Sequence, residues 1–128
     1  MSHKKLQINL KRAYEDKARQ DGYRVLVDRV WPRGRSKETL ALDQWARELA
    51  PSDKLRKWFD HDVQRWEEFR QRYGDELKDE EKQEQMRQLL ADANGQILTL
   101  VYGAKDTEHN QAVVLRDVLL RLSTETRS

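Results

Sequence analysis

The sequence predicts an α/β fold: a small, mostly parallel sheet of three strands or slightly more, flanked by helices, with a helical insertion between the second and third strands. Three observations carry this. Tyr23–Val30 and Ile97–Tyr102 are near-continuous apolar runs rich in β-branched residues, the pattern of strands covered on both faces in a parallel sheet. Most of the remaining chain repeats its apolar residues at helical spacing. The connection from Val30 to Ile97 is far longer than a single crossover helix requires.

The first strand is expected over Leu6–Leu10, where apolar and polar residues alternate, as suits an edge or a strand with one covered face. Asp21-Gly22 opens the second strand and Asn94-Gly95 the third, both turn-forming pairs. Helical stripes follow at Leu42, Trp45, Ala46 and Leu49, then at Leu55, Trp58 and Phe59, with Ser52 placed to cap the latter. Trp66, Phe69, Tyr73 and Leu77 form a third stripe, capped by Asp62 and weakened by Gly74. Met86, Leu89, Leu90 and Ala93 make a fourth. Ala112, Leu115, Leu119 and Leu122 make a fifth, widened by Val114 and Val118. The expected organisation is one domain over residues 1–128. Residues 6–30 and 96–122 form the sheet core with its final helix, 38–94 the helical insertion, and 123–128 a frayed tail. Trp45, Trp58, Trp66 and Phe69 are expected to be largely buried, holding the insertion on the sheet. Lys78–Gln88 is almost wholly polar and must be solvated on most faces.

Composition narrows the function classes. Of 128 residues, 38% are charged, yet 25 basic against 23 acidic residues leave a net charge of only +2, which excludes a polybasic tail protein. With no cysteine, disulfides, thiolate metal sites and cysteine nucleophiles are excluded. No run of 18 apolar residues occurs, so no membrane partner is expected. The opening MSHKKLQINLKR turns charged too early for a signal-peptide core, so the expected location is the cytoplasm.

Ligands of open parallel sheets bind beyond the carboxyl ends of the strands, which directs attention to Lys11–Tyr14, Asp28–Lys37 and Tyr102–Asn110. In the second stretch, Arg29, Arg33, Arg35 and Lys37 alternate with Trp31, Pro32 and Gly34. Pro32 fixes the backbone, Gly34 admits positive φ, and Ser36 can cap a helix beginning near Lys37. Cations around such a turn suit an anion. The structural alternative is that Asp28 and Arg29 pair with neighbours such as Lys105 and Asp106, while Trp31 plugs the core. In the third stretch Asp106 or Thr107 can cap the last helix, leaving Tyr102, Lys105, His109 and Asn110 to face a pocket; alternatively His109 and Asn110 make capping or core hydrogen bonds. His61 lies between Asp60 and Asp62, but without further ligands no metal site is expected. No P-loop, dinucleotide fingerprint, H-E-x-x-H or G-x-S-x-G motif occurs, so no cofactor is expected either.

The strings Gly22-Tyr23-Arg24-Val25-Leu26-Val27-Asp28-Arg29-Val30-Trp31-Pro32-Arg33-Gly34, Leu55-Arg56-Lys57-Trp58-Phe59 with His61-Asp62, and Ala104-Lys105-Asp106 with His109-Asn110-Gln111-Ala112 resemble the domain-of-unknown-function 488 family, in particular its YeaO-like members. The likeness covers nearly the whole chain in the same order. It implies a small α/β fold and points to Arg12, Asp28, Arg29, Trp31, Pro32, Arg33, Gly34, His61, Lys105, Asp106, His109 and Asn110. The chain departs from the family pattern at Arg35, where an aliphatic is expected, and at Ala13, where a larger apolar residue is common. Arg35 adds a cation to the mouth of the pocket.

Two functions from different classes fit. The first is a site for a small anionic or phosphate-bearing ligand, catalytic or not. Arg12, Arg29, Arg33 and Lys105 would hold the anion, Trp31, Gly34, Tyr102 and Asn110 would line the site, Asp28 or Asp106 would serve as acid or base, and His61 or His109 would carry the proton. The second is a nucleic-acid-directed protein in which Arg29, Arg33, Arg35 and Lys37 hold phosphates while Trp31 or Tyr102 stacks on a base. The acidic stretch Asp75–Glu84 and the small net charge give the second no broad basic field. A partner-binding module using the charged helices is a third, blander reading.

Overall fold

The computed structural model describes residues 6–125. Four parallel strands form one sheet: β1 (Ile8–Arg12), β2 (Tyr23–Leu26), β3 (Gln44–Trp45) and β4 (Leu98–Tyr102), in spatial order β1-β4-β2-β3. The helices are α1 (Lys37–Leu40), α2 (Asp53–Phe59), α3 (Trp66–Glu76), α4 (Glu80–Ala93) and α5 (Gln111–Glu125). β4 is the hub. It pairs with β1 from Ile8↔Leu98 to Arg12↔Tyr102 and with β2 from Tyr23↔Leu98 to Leu26↔Val101. All five β4 residues are buried, as the unbroken apolar run anticipates.

The sheet has four strands, within the expected three or slightly more, and the segment 38–94 is not purely helical. Leu42, Trp45, Ala46 and Leu49 share helical spacing, but their backbone is spent elsewhere. Asp43 N–H donates to Arg24 O at 2.8 Å and Ala46 N–H to Leu26 O at 2.8 Å, so this stretch extends the sheet as β3 beside β2. Ala41 at φ 46° ends α1 and turns the chain into the strand. Leu49 alone keeps a helical place, in the short 3-10 turn Arg47–Leu49. β1 begins two residues later than expected and runs into Lys11 and Arg12. Beyond Leu26, β2 retains one more ladder bond, Val27 N–H to Val101 O at 2.9 Å, before the chain leaves the sheet at Asp28. α5 continues to Glu125, past the end of its apolar stripe; the last three residues of the expected tail lie outside the described residues.

The helix starts follow their capping residues. Ser36, Ser52 and Asp62 each accept a backbone N–H of the turn they open. One side of the sheet presents Ile8, Val25, Leu98, Leu100 and Tyr102 to α2–α5, where Phe59, Phe69, Tyr73, Leu89, Leu115 and Leu119 complete the larger core. The other side carries a smaller cluster of Ala13, Leu26, Leu40 and Val101, with Trp31 and Leu42 against it. Phe69 is 2% exposed and stacks on Phe59 at 4.3 Å. Trp66 and Trp58 are half-buried, Trp58 lying under the guanidinium groups of Arg65 and Arg72. Trp45, expected inside, is 37% exposed, because it stands on the edge strand rather than on a helix face.

A buried polar network joins the strands on the smaller side. Arg24, 1% exposed, pairs with Asp21 at 2.7 Å and donates twice to Leu40 O. Asp21 also pairs with Lys11 at 3.1 Å, and its carbonyl accepts from Thr99 Oγ1 at 2.6 Å. Gly22 lets this turn close: at φ +66°, a Cβ there would meet Ile97 O at 2.2 Å.

Phe69→Ala is expected to cost about 3–5 kcal/mol in a denaturant titration, whereas trimming the half-exposed Trp45 should cost clearly less. Burial opposes the charge of Asp21, but the Ala18 N–H, Lys11 and Arg24 outweigh it and hold its carboxyl below the ordinary value. The stabilisation is therefore present above the unfolded-state value of about 3.9 and lost as pH falls through the lower folded-state value. Asp21→Asn should cost about 3–5 kcal/mol at neutral pH by stranding Arg24, and should flatten the acid limb of a stability–pH curve.

Candidate functional site

Parallel pairing brings the ends of β1, β4 and β2 side by side, so the segments leaving them must crowd together. From β1, Arg12 donates through Nε to Ala104 O at 2.8 Å and through Nη2 to Gly103 O at 3.3 Å, and its guanidinium lies 5.1 Å from the Tyr14 ring centre. From the segment after β2, Arg35 reaches the same place. Its Nε donates to Ala13 O at 2.9 Å and its guanidinium lies 5.9 Å from the Tyr14 ring. Tyr14 Oη donates to Arg33 O at 3.1 Å. Arg35 Nη2 is buried without a hydrogen-bond acceptor among the described residues. Trp31 Nε1 donates to Arg35 O at 2.6 Å, and the Trp31 ring meets Trp45 edge-on at 5.4 Å. Gly34, at φ 80°, has open space around it, and Arg33 is exposed.

Asp28 anchors the middle of the site. Its Oδ2 accepts the Gly103 N–H at 2.9 Å and its Oδ1 accepts from Gln111 Nε2, while its carbonyl accepts from Trp45 Nε1 at 2.7 Å. A Cβ at Gly103 would lie 2.9 Å from Oδ2, so the glycine makes room for the carboxylate. Burial pushes the Asp28 carboxyl up to about 6 against the opposing pull of Gly103 N–H, Gln111 and the charge of Arg56. Arg29 points the other way, to Pro51 O at 2.9 Å and Ala50 O at 3.3 Å. Neither Asp28 nor Arg29 pairs with Lys105 or Asp106.

From Asp106 onward, the segment after β4 is held largely by its own hydrogen bonds. Asp106 Oδ1 accepts the N–H groups of Glu108 and His109, and Oδ2 lies 2.9 Å from His109 Nδ1. The Glu108 N–H leads in holding this carboxyl below its ordinary value, helped by His109. His109 meets Trp66 edge-on at 5.3 Å. Asn110 is buried; its Oδ1 accepts from Ala112 N and its Nδ2 donates to Asp106 O. Tyr102 is 3% exposed, and burial raises its hydroxyl's pKa. Lys105 is exposed. His61, in the left-handed region at φ 57°, neighbours Phe59. Among the described residues no group of three or more His, Asp and Glu side chains could hold a metal ion, and no helix is long and apolar enough to cross a membrane.

The structure thus brings the Arg12 and Arg35 guanidinium groups to Tyr14, which also holds the Arg33 carbonyl, joins Asp28 to Gly103 and Gln111, and keeps Asp106 with His109 and Asn110. Tyr14 and Gln111 were not singled out by the sequence. Gln111 stands at the first position of α5, where a polar side chain reads as an ordinary helix start.

The family model described as the inactive DUF488-N3 subclade matches residues 7–128. The chain belongs to this family. Among its relatives, uncharacterized protein YeaO of Escherichia coli is 49% identical over 118 residues, covering 91% of this chain and 100% of YeaO. Uncharacterized protein Rv3073c of Mycobacterium tuberculosis is 36% identical over 112 residues, covering 88% of this chain and 92% of its own. No solved structure gives a significant match. In this DUF488-N3 chain the string Val27-Asp28-Arg29-Val30-Trp31-Pro32-Arg33-Gly34 lies where β2 leaves the sheet.

Asp28→Asn tests the electrostatics of the site. The folded carboxyl titrates near 6 and the unfolded one near 3.9, so the native state binds the extra proton between those values and wild-type stability falls as pH rises through that window. An amide keeps the shape and can accept from Gly103. The variant's stability relative to wild type should therefore rise from about pH 4 to 6, by at most about 3 kcal/mol, and level off above. A constant difference across this range, read from urea titrations, would rule out the raised carboxyl.

Proposed function

We propose that the protein binds a small anionic, phosphate-bearing ligand at the carboxyl ends of β1, β4 and β2 and does so without catalysing a reaction. The observation that carries this is the state of the cations. Elsewhere Arg24, Arg56, Arg65, Arg70, Arg72 and Arg87 each pair with a carboxylate, while among the described residues the outlying Arg19, Arg47, Arg116 and Arg121 do not. At the strand ends, Arg12, Arg29 and Arg35 give their hydrogen bonds to backbone carbonyls, and no described carboxylate pairs with Arg33 or Lys105. A carbonyl orients a guanidinium but does not neutralise it. Asp28, Glu15, Asp106 and Glu108 are the acids of these segments against Arg12, Arg29, Arg33, Arg35 and Lys105, so about one positive charge is left over, which draws an anion. Arg35 Nη2, lacking an acceptor, adds a donor whose desolvation is uncompensated.

The absence of a catalytic arrangement follows from how the candidate groups are used. Both oxygens of Asp28 already accept hydrogen bonds, Asp106 is occupied by its own turn, and His61 lies apart beside Phe59. Among the described residues only Asp106 and His109 form a His–carboxylate pair. The word inactive in the description of the matched family favours the same reading.

Calorimetric titration of the purified protein with phosphate and pyrophosphate, with chloride as control, tests it. Binding should be seen, and Arg33→Ala should weaken it by about 1.5–3 kcal/mol per charged hydrogen bond lost with little change in melting temperature. If neither anion binds and Arg33→Ala changes only the melting temperature, the arginines are structural and the reading fails.

A further inference from the structure

The arginine cluster does not stand alone. Trp45, on the edge strand, is 37% exposed, and its one polar atom is already spent on Asp28 O. What it shows to solvent is therefore ring carbon. Trp31 meets it edge-on and is likewise satisfied at Nε1, by the carbonyl of Arg35 itself. Val30, 57% exposed, precedes Trp31 in the chain, and the Arg47 guanidinium lies 5.5 Å from the Trp45 ring. The segment Arg29–Ser36 thus runs from an apolar aromatic platform beside β3 to the cations around Tyr14 beside β1. One residue, Arg35, links the two: its carbonyl holds the indole and its guanidinium enters the cation cluster.

We propose that the anion bound here carries an aromatic heterocycle, so that the ligand is a nucleotide with its phosphate at Arg33 and Arg35 and its base on Trp45. This rests on the anion-binding reading above and goes beyond it by naming the ligand class. The physical case is a division of labour. A phosphate alone needs only the cations, and an exposed indole beside them adds nothing to its binding. A base has a π-face that stacks on an aromatic ring whatever its sequence identity, and a guanidinium such as that of Arg47 adds to such stacks. Exposed indole surface, flanked by Arg47 at 5.5 Å and joined through Trp31 to the backbone of Arg35, is the combination that a phosphorylated aromatic ligand uses in full. The same chemistry occurs in a free mononucleotide and at the end of a single nucleic-acid strand, and the small net charge of +2 favours the former.

The test compares AMP, ribose 5-phosphate, adenosine and a short single-stranded oligonucleotide by calorimetry on the full chain. AMP should bind roughly ten-fold or more tightly than ribose 5-phosphate, the worth of one stacked base. Trp45→Leu should bring AMP down to the affinity of ribose 5-phosphate while leaving that sugar phosphate unchanged. Trp45→Phe should restore most of the AMP preference, which separates stacking from any loss of fold. Arg35→Gln should weaken both phosphorylated ligands together. An oligonucleotide bound more tightly than AMP, with the same loss in Trp45→Leu, identifies a strand end as the source of the nucleotide. Equal affinities for AMP and ribose 5-phosphate, insensitive to Trp45, would overturn the base subsite and leave the anion site standing. Failure of every phosphorylated compound to bind would overturn the anion site itself.

Discussion

The ion pair between Arg24 and Asp21 is the constraint on which the open side of the sheet depends. A guanidinium that is 1% exposed is tolerable only because its donors are met by Asp21 and the carbonyl of Leu40. Those partners lie in different parts of the chain. Asp21 precedes β2, takes Lys11 from β1, and accepts Thr99 of β4 at its carbonyl. Leu40 ends α1, and Asp43 just beyond it accepts the Arg24 N–H at 2.8 Å. A single buried cation thus sets the relative positions of β1, β2, β4 and the chain entering β3. The segment Arg29–Ser36, which carries the candidate site, is strung between these fixed points.

At the candidate site the balance is different. The larger core, built on Phe59, Phe69 and Tyr73, reaches the strand ends through Val27, Tyr102 and Ala104. The cations there satisfy geometry through carbonyls and leave their charge uncompensated. Asp28 gives up part of its countercharge as pH falls toward about 6, the value to which burial raises its carboxyl. In a molecule whose total charge is nearly balanced, such cations are the ground on which a small anionic ligand, rather than a long polyanion, is proposed.

Much of the fold was legible because its signals are local. The apolar runs of β2 and β4, and the caps at Ser36, Ser52 and Asp62, depend on neighbours in the sequence. β3 was not legible. Its two residues inherit strand geometry from β2, and their spacing with Leu42 and Leu49 imitates a helix. Arg24 was read as part of an apolar run, with no sign that Asp21, Leu40 and Thr99 would meet around it. At the strand ends, the rule for parallel sheets points to the segments that carry Arg12, Asp28, Arg33 and Lys105. It could not say which side chains would be used up. Asn110 caps α5, Tyr102 is buried, and Arg29 ties down Ala50 and Pro51, all through contacts distant in sequence. Tyr14, which binds the arginines together, sits in a run of exposed residues that carries no periodic signal.

The place of β4 has a consequence for how the chain is made. β1 and β2 do not touch each other; each pairs with β4, which comes at residues 98–102 of 128. During synthesis, the first two strands emerge long before the strand that joins them, and their inner edges stay unpaired until most of the chain has been translated. The sheet must therefore close late, through contacts of large sequence separation, so folding should be slow for a protein of this size. Until then, the unpaired edges are open to wrong partners, and a ribosome-bound or truncated chain ending before Leu98 would be the species most prone to aggregate.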